Sequence, residues 1–254
     1  MPIITTNLLI MLFVAGLFAG LVDSIAGGGG LISLPALLFA GLPPQLALGT
    51  NKLQGSFGSF SAAYNYIRKG QASLKDAGKG IAFTFIGAGI GAWSVQQLNP
   101  DFIKPLIPFM LIVVFFYTLF SKKFGYEDQN PKLSWSLFWI VSGVTLGFYD
   151  GFFGPGAGSF WAVAIIYFLG FNMTKASGYT KIMNFVSNVV ALAMFIMGGN
   201  VCYTVGFIMA AGQTIGAIIG SGLAIKNGAA FIRPVFLMVV FLTIIRLAYL
   251  NYFT

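Results

Sequence analysis

Two aspartates and two lysines sit in runs that are otherwise apolar, and each type comes as a spaced pair. Asp23 and Asp150 lie 127 residues apart, and Lys52 and Lys181 lie 129 apart. The other acids, Asp76, Asp101, Glu127 and Asp128, fall in evident loops. Ionisable groups within apolar segments are expensive to keep there and default to function. At 1.5 Å per helical residue, Lys52 lies about 10 Å into its helix, a third of the way across a ~30 Å hydrocarbon core. Gln45, Thr50, Asn51, Gln54, Ser56, Ser59 and Ser61 surround it, so this helix cannot face lipid. Its i, i+3, i+7 face reads Lys52, Gly55, Ser59, and the matching face of the second helix reads Lys181, Asn184, Asn188. A cation among hydroxyls, amides and small residues suits a small oxyanion, which needs charge compensation and several donors.

Competing readings are structural. Each lysine could snorkel to the interface or pair with Asp23 or Asp150 as a buried ion pair. The aspartates could be interfacial N-caps instead of proton-coupling or gating groups. Each lies where an apolar helix runs into glycine: Gly27 to Gly30 after Asp23, and Gly154-Pro155-Gly156 after Asp150. Such stretches cannot hold a regular helix cheaply. At membrane depth they are tolerated only when buried in protein or lining a watery cavity. They also free N–H groups at the next helix start, which favours an anion there. The candidate substrate-binding set is therefore Lys52, Lys181, Asn51, Thr50, Thr180, Asn184, Gly28, Gly29 and Gly156. Asp23 and Asp150 are the candidates for coupling and gating.

The elements that must position these residues are themselves duplicated. With Asp23 on Asp150, Gly16, Gly20, Gly27 and Gly29 fall on Gly143, Gly147, Gly154 and Gly156. After a two-residue insertion, Gly49 meets Gly178, Gly91 meets Gly220, and Phe102-Ile103-Lys104-Pro105 meets Phe231-Ile232-Arg233-Pro234. A half-chain duplication in so apolar a chain marks a transporter built from two repeats, here 1–126 and 127–254, forming one membrane domain. Apolar runs predict an all-α polytopic fold with segments near 3–22, 45–67, 80–98, 103–120, 133–149, 176–197, 205–225 and 231–250. Two shorter runs, 31–41 and 158–171, are half-helices or short spans. If both turn back, each repeat has four crossings and the repeats run parallel. If both cross, each has five and the repeats are inverted. Placing Arg68, Lys69, Lys75 and Lys79 inside puts most other basic residues inside only in the inverted version. That version is favoured, with both termini outside, and eight crossings remain the alternative.

Composition narrows the function classes. Hydrophobic residues make up 57% of the 254 and charged residues 8%, against about 25% charged in soluble domains. The net charge of +8 comes from loop-clustered basic residues, a topology signal rather than a nucleic-acid footprint. With no histidine and one cysteine, Cys202, no metal centre, disulfide or cofactor is expected. The glycines of Gly87 to Gly91 and Gly212 to Gly222 have small-xxx-small spacing for helix packing.

Asp23-Ser-Ile-Ala-Gly-Gly-Gly-Gly, Thr50-Asn-Lys-Leu-Gln54 and Gly147-Phe-Tyr-Asp-Gly-Phe-Phe-Gly-Pro155 together resemble the sulfite exporter TauE/SafE family, also called TSUP, along the whole chain in order. The resemblance implies a bacterial inner-membrane protein, duplicated from four-segment units, that moves small sulfur-containing anions such as sulfite, thiosulfate or sulfonates. It places the two motif aspartates on Asp23 and Asp150, the Thr-Asn-Lys stretch on Thr50, Asn51 and Lys52, and the partner lysine on Lys181. The expected function is alternating-access transport of a small anion, with protons as a candidate coupling ion. The partners are that anion and the lipid bilayer. A passive anion channel is the alternative, and a membrane-embedded enzyme or an inert scaffold is less favoured.

Overall fold

The structure is a computed structural model that describes residues 5–99 and 127–252, the last with backbone only over most of 229–252. The segment expected near 103–120, with Asp101 and Lys104, lies outside the described residues. Eight helices and no strand occur among the described residues: α1 (Thr6–Ala26), α2 (Gly30–Phe39), α3 (Pro44–Arg68), α4 (Leu74–Gln96), α5 (Trp135–Phe152), α6 (Ala157–Ala164), α7 (Met173–Met197) and α8 (Tyr203–Tyr252). A π-helical turn, Ile165–Leu169, extends α6. α8 is broken at Gly228, whose φ of 62° and ψ of −155° are non-helical, so its two parts fall on the two runs expected at 205–225 and 231–250.

The helices end where the sequence punctuates them. α1 stops at Gly27 in the left-handed region, φ 80°, a conformation glycine adopts without a Cβ penalty. Pro44 occupies the first turn of α3, where its missing N–H costs nothing. Asn172 caps α7 through its side chain, which accepts the Lys175 N–H at 3.0 Å. α3 and α7 are both 25 residues long and begin 129 positions apart, at 44 and 173.

Contacts along the helices give their relative directions. Gly49 meets Phe195, Gly55 meets Asn188, Phe60 packs against Phe185 and Gly178 meets Tyr66, so α3 and α7 run antiparallel. Gly16 lies on Met209, Gly20 on Gln213 and Gly220 on Leu21, so α1 and the first part of α8 run parallel. Gly80 against Trp139, Gly87 against Val144 and Gly91 against Phe148 make α4 and α5 a second parallel pair. Both parallel interfaces are glycine contacts. A Cβ on Gly20 would overlap the Gln213 backbone, so the small-residue spacing does serve close packing.

Burial is inverted relative to a soluble domain. Lys52 and Lys181 are among the largest fully buried side chains, whereas Ile10, Phe18, Phe57, Phe85, Trp93, Phe148 and Ile218 face outward. Among the described residues, three helices are long and apolar enough to cross a membrane: Thr6–Ala26, Met173–Met197 and Tyr203–Gly228. α2, with 10 residues, is about 15 Å long, half the hydrocarbon thickness.

Candidate functional site

Antiparallel packing of α3 against α7 carries each lysine to the glycine break of the other half. Lys52 on α3 binds Asp150 on α5, Nζ to Oδ1 at 2.7 Å, and also donates to the Asp150 carbonyl. Lys181 on α7 binds Asp23 on α1, Nζ to Oδ2 at 2.9 Å. Both lysine side chains are 1% exposed. Of the two structural readings of the lysines, snorkelling is therefore not what these side chains do, and pairing is. Glycine makes the Lys52 seat: Gly154, at φ 95°, would carry a Cβ 2.7 Å from Lys52 Nζ. The breaks also touch one another, with a Cβ on Gly158 standing 2.6 Å from Gly27 Cα. The capping reading of Asp23 has a real contact behind it, since Oδ1 accepts the N–H of Gly29, the residue ahead of α2, at 3.2 Å.

Between the two pairs lies a polar cavity of about 30 Å³, room for roughly two waters. Glycine backbone and polar side chains line it, among them Asp23, Asn51, Lys52, Gln54, Asp150, Asn184, Asn188 and Gln213. Three of these amides bring a buried oxygen with no hydrogen-bond partner among the described residues: Gln54 Oε1, Asn184 Oδ1 and Gln213 Oε1. Buried polar atoms are nearly always paired, and these three oxygens are acceptors, which call for a hydrogen-bond donor such as water. Elsewhere α3 meets its own polar demand: Ser56 donates to the Lys52 carbonyl at 2.8 Å and Ser59 to the Gly55 carbonyl at 2.6 Å. A chain of bonds leads from the first break into the cavity. Ser33 Oγ lies 3.1 Å from the Gly29 carbonyl and 2.6 Å from Asn51 Oδ1, which accepts from Gln54 Nε2 at 2.7 Å.

The residues expected in the site divide. Asp23, Asp150, Asn51, Lys52, Asn184 and Gly156 line the cavity, and Lys181 reaches it through Asp23. Gly28 and Gly29 do not line it; Gly29 acts instead through its N–H to Asp23. Thr50 points elsewhere, its hydroxyl accepting the Cys202 N–H at 2.9 Å. Thr180 is buried, its hydroxyl has no partner among the described residues, and it does not line the cavity. Sequence reasoning left out Gln213, whose signal was that of a lone amide in the apolar run of α8, and the roles of Ser33 and Ser187. Ser187 donates to Asp150 Oδ2. Among the described residues no cluster of His, Cys, Asp and Glu could hold a metal ion.

Buried paired charges inside, phenylalanines outside and helices of membrane length together define an integral membrane protein with a polar centre. The family model described as sulfite exporter TauE/SafE matches residues 12–247, and the chain belongs to that family. A probable membrane transporter protein of Haemophilus influenzae is 41% identical over 243 residues, 96% of this chain and 95% of its own. The probable membrane transporter protein YfcA of Escherichia coli K12 is 44% identical over 232 residues, 91% of this chain and 86% of its own. A plant relative, sulfite exporter TauE/SafE family protein 6 of Arabidopsis thaliana, is 29% identical over 118 residues, 46% of this chain and 27% of its own. No solved structure matched the chain.

Proposed function

We propose that this membrane transporter carries a small anion, a sulfur oxyanion or short sulfonate, by alternating access between two inverted repeats, 1–126 and 127–254. The observation that carries the reading is the pair of crossed Lys–Asp bridges flanking one polar cavity. In the empty site the aspartates act as the lysines' anions. A substrate oxyanion enters the cavity by taking over a lysine, with Asn51, Gln54, Asn184, Asn188 and Gln213 offering amide N–H donors. The displaced carboxylate takes up a proton, which makes the transport proton-coupled and places the gate at Asp23 or Asp150. The sulfur-anion class follows the names of the family and of the plant relative.

The inverted arrangement is supported by the antiparallel run of α3 and α7 at a constant offset, and by the first helix of each half packing parallel to the fourth of the other. Alternating access in inverted repeats proceeds by rocking one repeat against the other around a fixed central site. The two breaks that touch at Gly27 and Gly158 lie on that boundary. The basic loop after α3 then faces the cytoplasm of a bacterial inner membrane, with both termini outside.

Thermal unfolding of purified protein with sulfite, thiosulfate, short sulfonates, chloride and phosphate tests the substrate class. A ligand that binds the folded state raises its stability. Stabilisation by a sulfur anion and not by chloride or phosphate is expected. Proteoliposome flux of the same anions should fall strongly in Lys52→Ala and Lys181→Ala, and unchanged flux in both would falsify the site. Trans-acceleration of tracer exchange separates a carrier from a channel.

A further inference from the structure

The two bridges hold their carboxylates unequally. Asp150 is 4% exposed, and both its oxygens are engaged, Oδ1 by Lys52 at 2.7 Å and Oδ2 by the Ser187 hydroxyl. Lys52 is further tied to the Asp150 carbonyl, so ammonium and aspartate are joined twice. Asp23 is 15% exposed and is held by one ammonium bond of 2.9 Å and one N–H of 3.2 Å. The position matching Ser187 in the first half is Gly58 (187 − 129 = 58), which has no hydroxyl to offer. Of the two carboxylates, Asp23 is the one that can leave its lysine.

The second observation is charge balance. Among the described residues, two lysines and two aspartates make the buried centre neutral. Lys181 of α7 binds Asp23, and the Tyr66 hydroxyl of α3 lies near it, donating to the Ser24 carbonyl at 2.9 Å. Across the cavity stand Lys52 of α3 and Asp150 of α5. From α2, α6 and α8 the cavity receives glycines and the Gln213 amide, with no ionisable side chain. A monoanion loaded into this centre would leave one uncompensated negative charge out of water, which is strongly unfavourable.

Resting on the transport reading above, we infer that Asp23 is the proton carrier and that one proton travels with each monoanion, so that transport is electroneutral. The substrate oxygen replaces Asp23 Oδ2 on the Lys181 ammonium, which keeps all its protons. The freed carboxylate takes one proton from water, becoming a carboxylic acid, and the centre returns to zero charge. Proton and anion move in the same direction, and the empty, neutral centre recrosses unloaded. Asp150 and Lys52 stay paired throughout.

The test uses the full chain in proteoliposomes with labelled methanesulfonate or ethanesulfonate, both monoanions. A pH difference is imposed with the potential clamped, and then a potential is imposed at equal pH. Accumulation should approach about tenfold per pH unit, the concentration ratio that balances one proton, and should not respond to the potential. A charged carrier would instead redistribute the anion about fiftyfold per 100 mV. That result, or the absence of any pH drive, overturns the inference while leaving transport standing. No flux of either anion overturns the transport reading and this inference with it. In Asp23→Asn the empty centre carries one positive charge, so pH-driven net uptake should be lost. Asp23→Glu should restore the pH drive. An Asp23→Asn protein that still concentrates the anion on a pH gradient sinks the assignment.

Discussion

Two ends of one cavity are built from the same duplicated parts and finished differently. Both carboxylates have a partner on each oxygen, but at the Asp150 end one of them is the Ser187 hydroxyl and the lysine is bound twice. At the Asp23 end the serine of the other half is a glycine, and the carboxylate keeps more exposure. Position 54, also on the cavity wall, is glutamine, while its counterpart at 183 is methionine, a partner for the Thr84 hydroxyl at 3.4 Å. Duplication supplies two lysines, two aspartates and two breaks. In the proposed mechanism, the departures from duplication decide which half holds still and which half exchanges.

The largest effect should come from breaking the closed end. Asp150→Ala leaves Lys52, 1% exposed, as an unpaired buried charge, which costs about 3–5 kcal/mol. Thermal unfolding in detergent should show it as a loss of folded protein. The double variant Asp150→Ala, Lys52→Met should recover most of the loss, because it removes both charges. If the double variant is no more stable than the single, the pairing is not what the aspartate contributes.

Asp23→Ala should cost less, about 1–3 kcal/mol, between the value for a buried pair and that for an exposed one. Water can reach the vacated place beside Lys181 because Asp23 is itself 15% exposed. The same unfolding assay makes this a direct test of the comparison: equal costs at the two ends would erase it. Smaller again is Gln54→Met, which installs the second half's residue at the matching place. It removes one polar contact from the cavity, worth about 1 kcal/mol, and should weaken anion binding about fivefold with the fold intact. An unchanged affinity would take Gln54 out of the binding set.

Much of this comparison could be read from sequence, for a definite reason. Asp23, Asp150, Lys52 and Lys181 stand out because charge in an apolar run is rare, and the constant offset ties each to its counterpart. The helix pair α3 and α7 follows from the same offset. The crossing of the pairs, lysine of one half to aspartate of the other, needs the antiparallel packing of α3 on α7, which no local pattern encodes. Thr50 neighbours Asn51 and Lys52 in sequence, yet each helical step turns about 100° and carries its hydroxyl to the Cys202 N–H. Gln213 carries no duplicated signal, since its match in the first half is Thr84. Site residues that break the repeat are invisible to a search for the repeat.

A third ion pair sets the lower end of the scale. Asp128 lies in the connector before α5, and its carboxylate receives the Asn172 N–H at 2.8 Å and the Lys175 ammonium. Partial burial pushes this carboxyl up, but the Lys175 and Asn172 bonds outweigh it and hold the group below its ordinary value. A depressed folded-state value means the contribution is present above the unfolded value, near pH 4, and is lost as pH falls through the folded one. With the two side chains 41% and 46% exposed, the contribution is small, about 0–1 kcal/mol. Asp128→Asn should therefore shift the unfolding temperature little at neutral pH, and added salt should shrink even that difference by screening. The buried pairs should not respond to salt in this way. A salt-sensitive cost for Asp150→Ala, or a cost for Asp128→Asn as large as that for Asp23→Ala, would remove burial as the variable that orders the three.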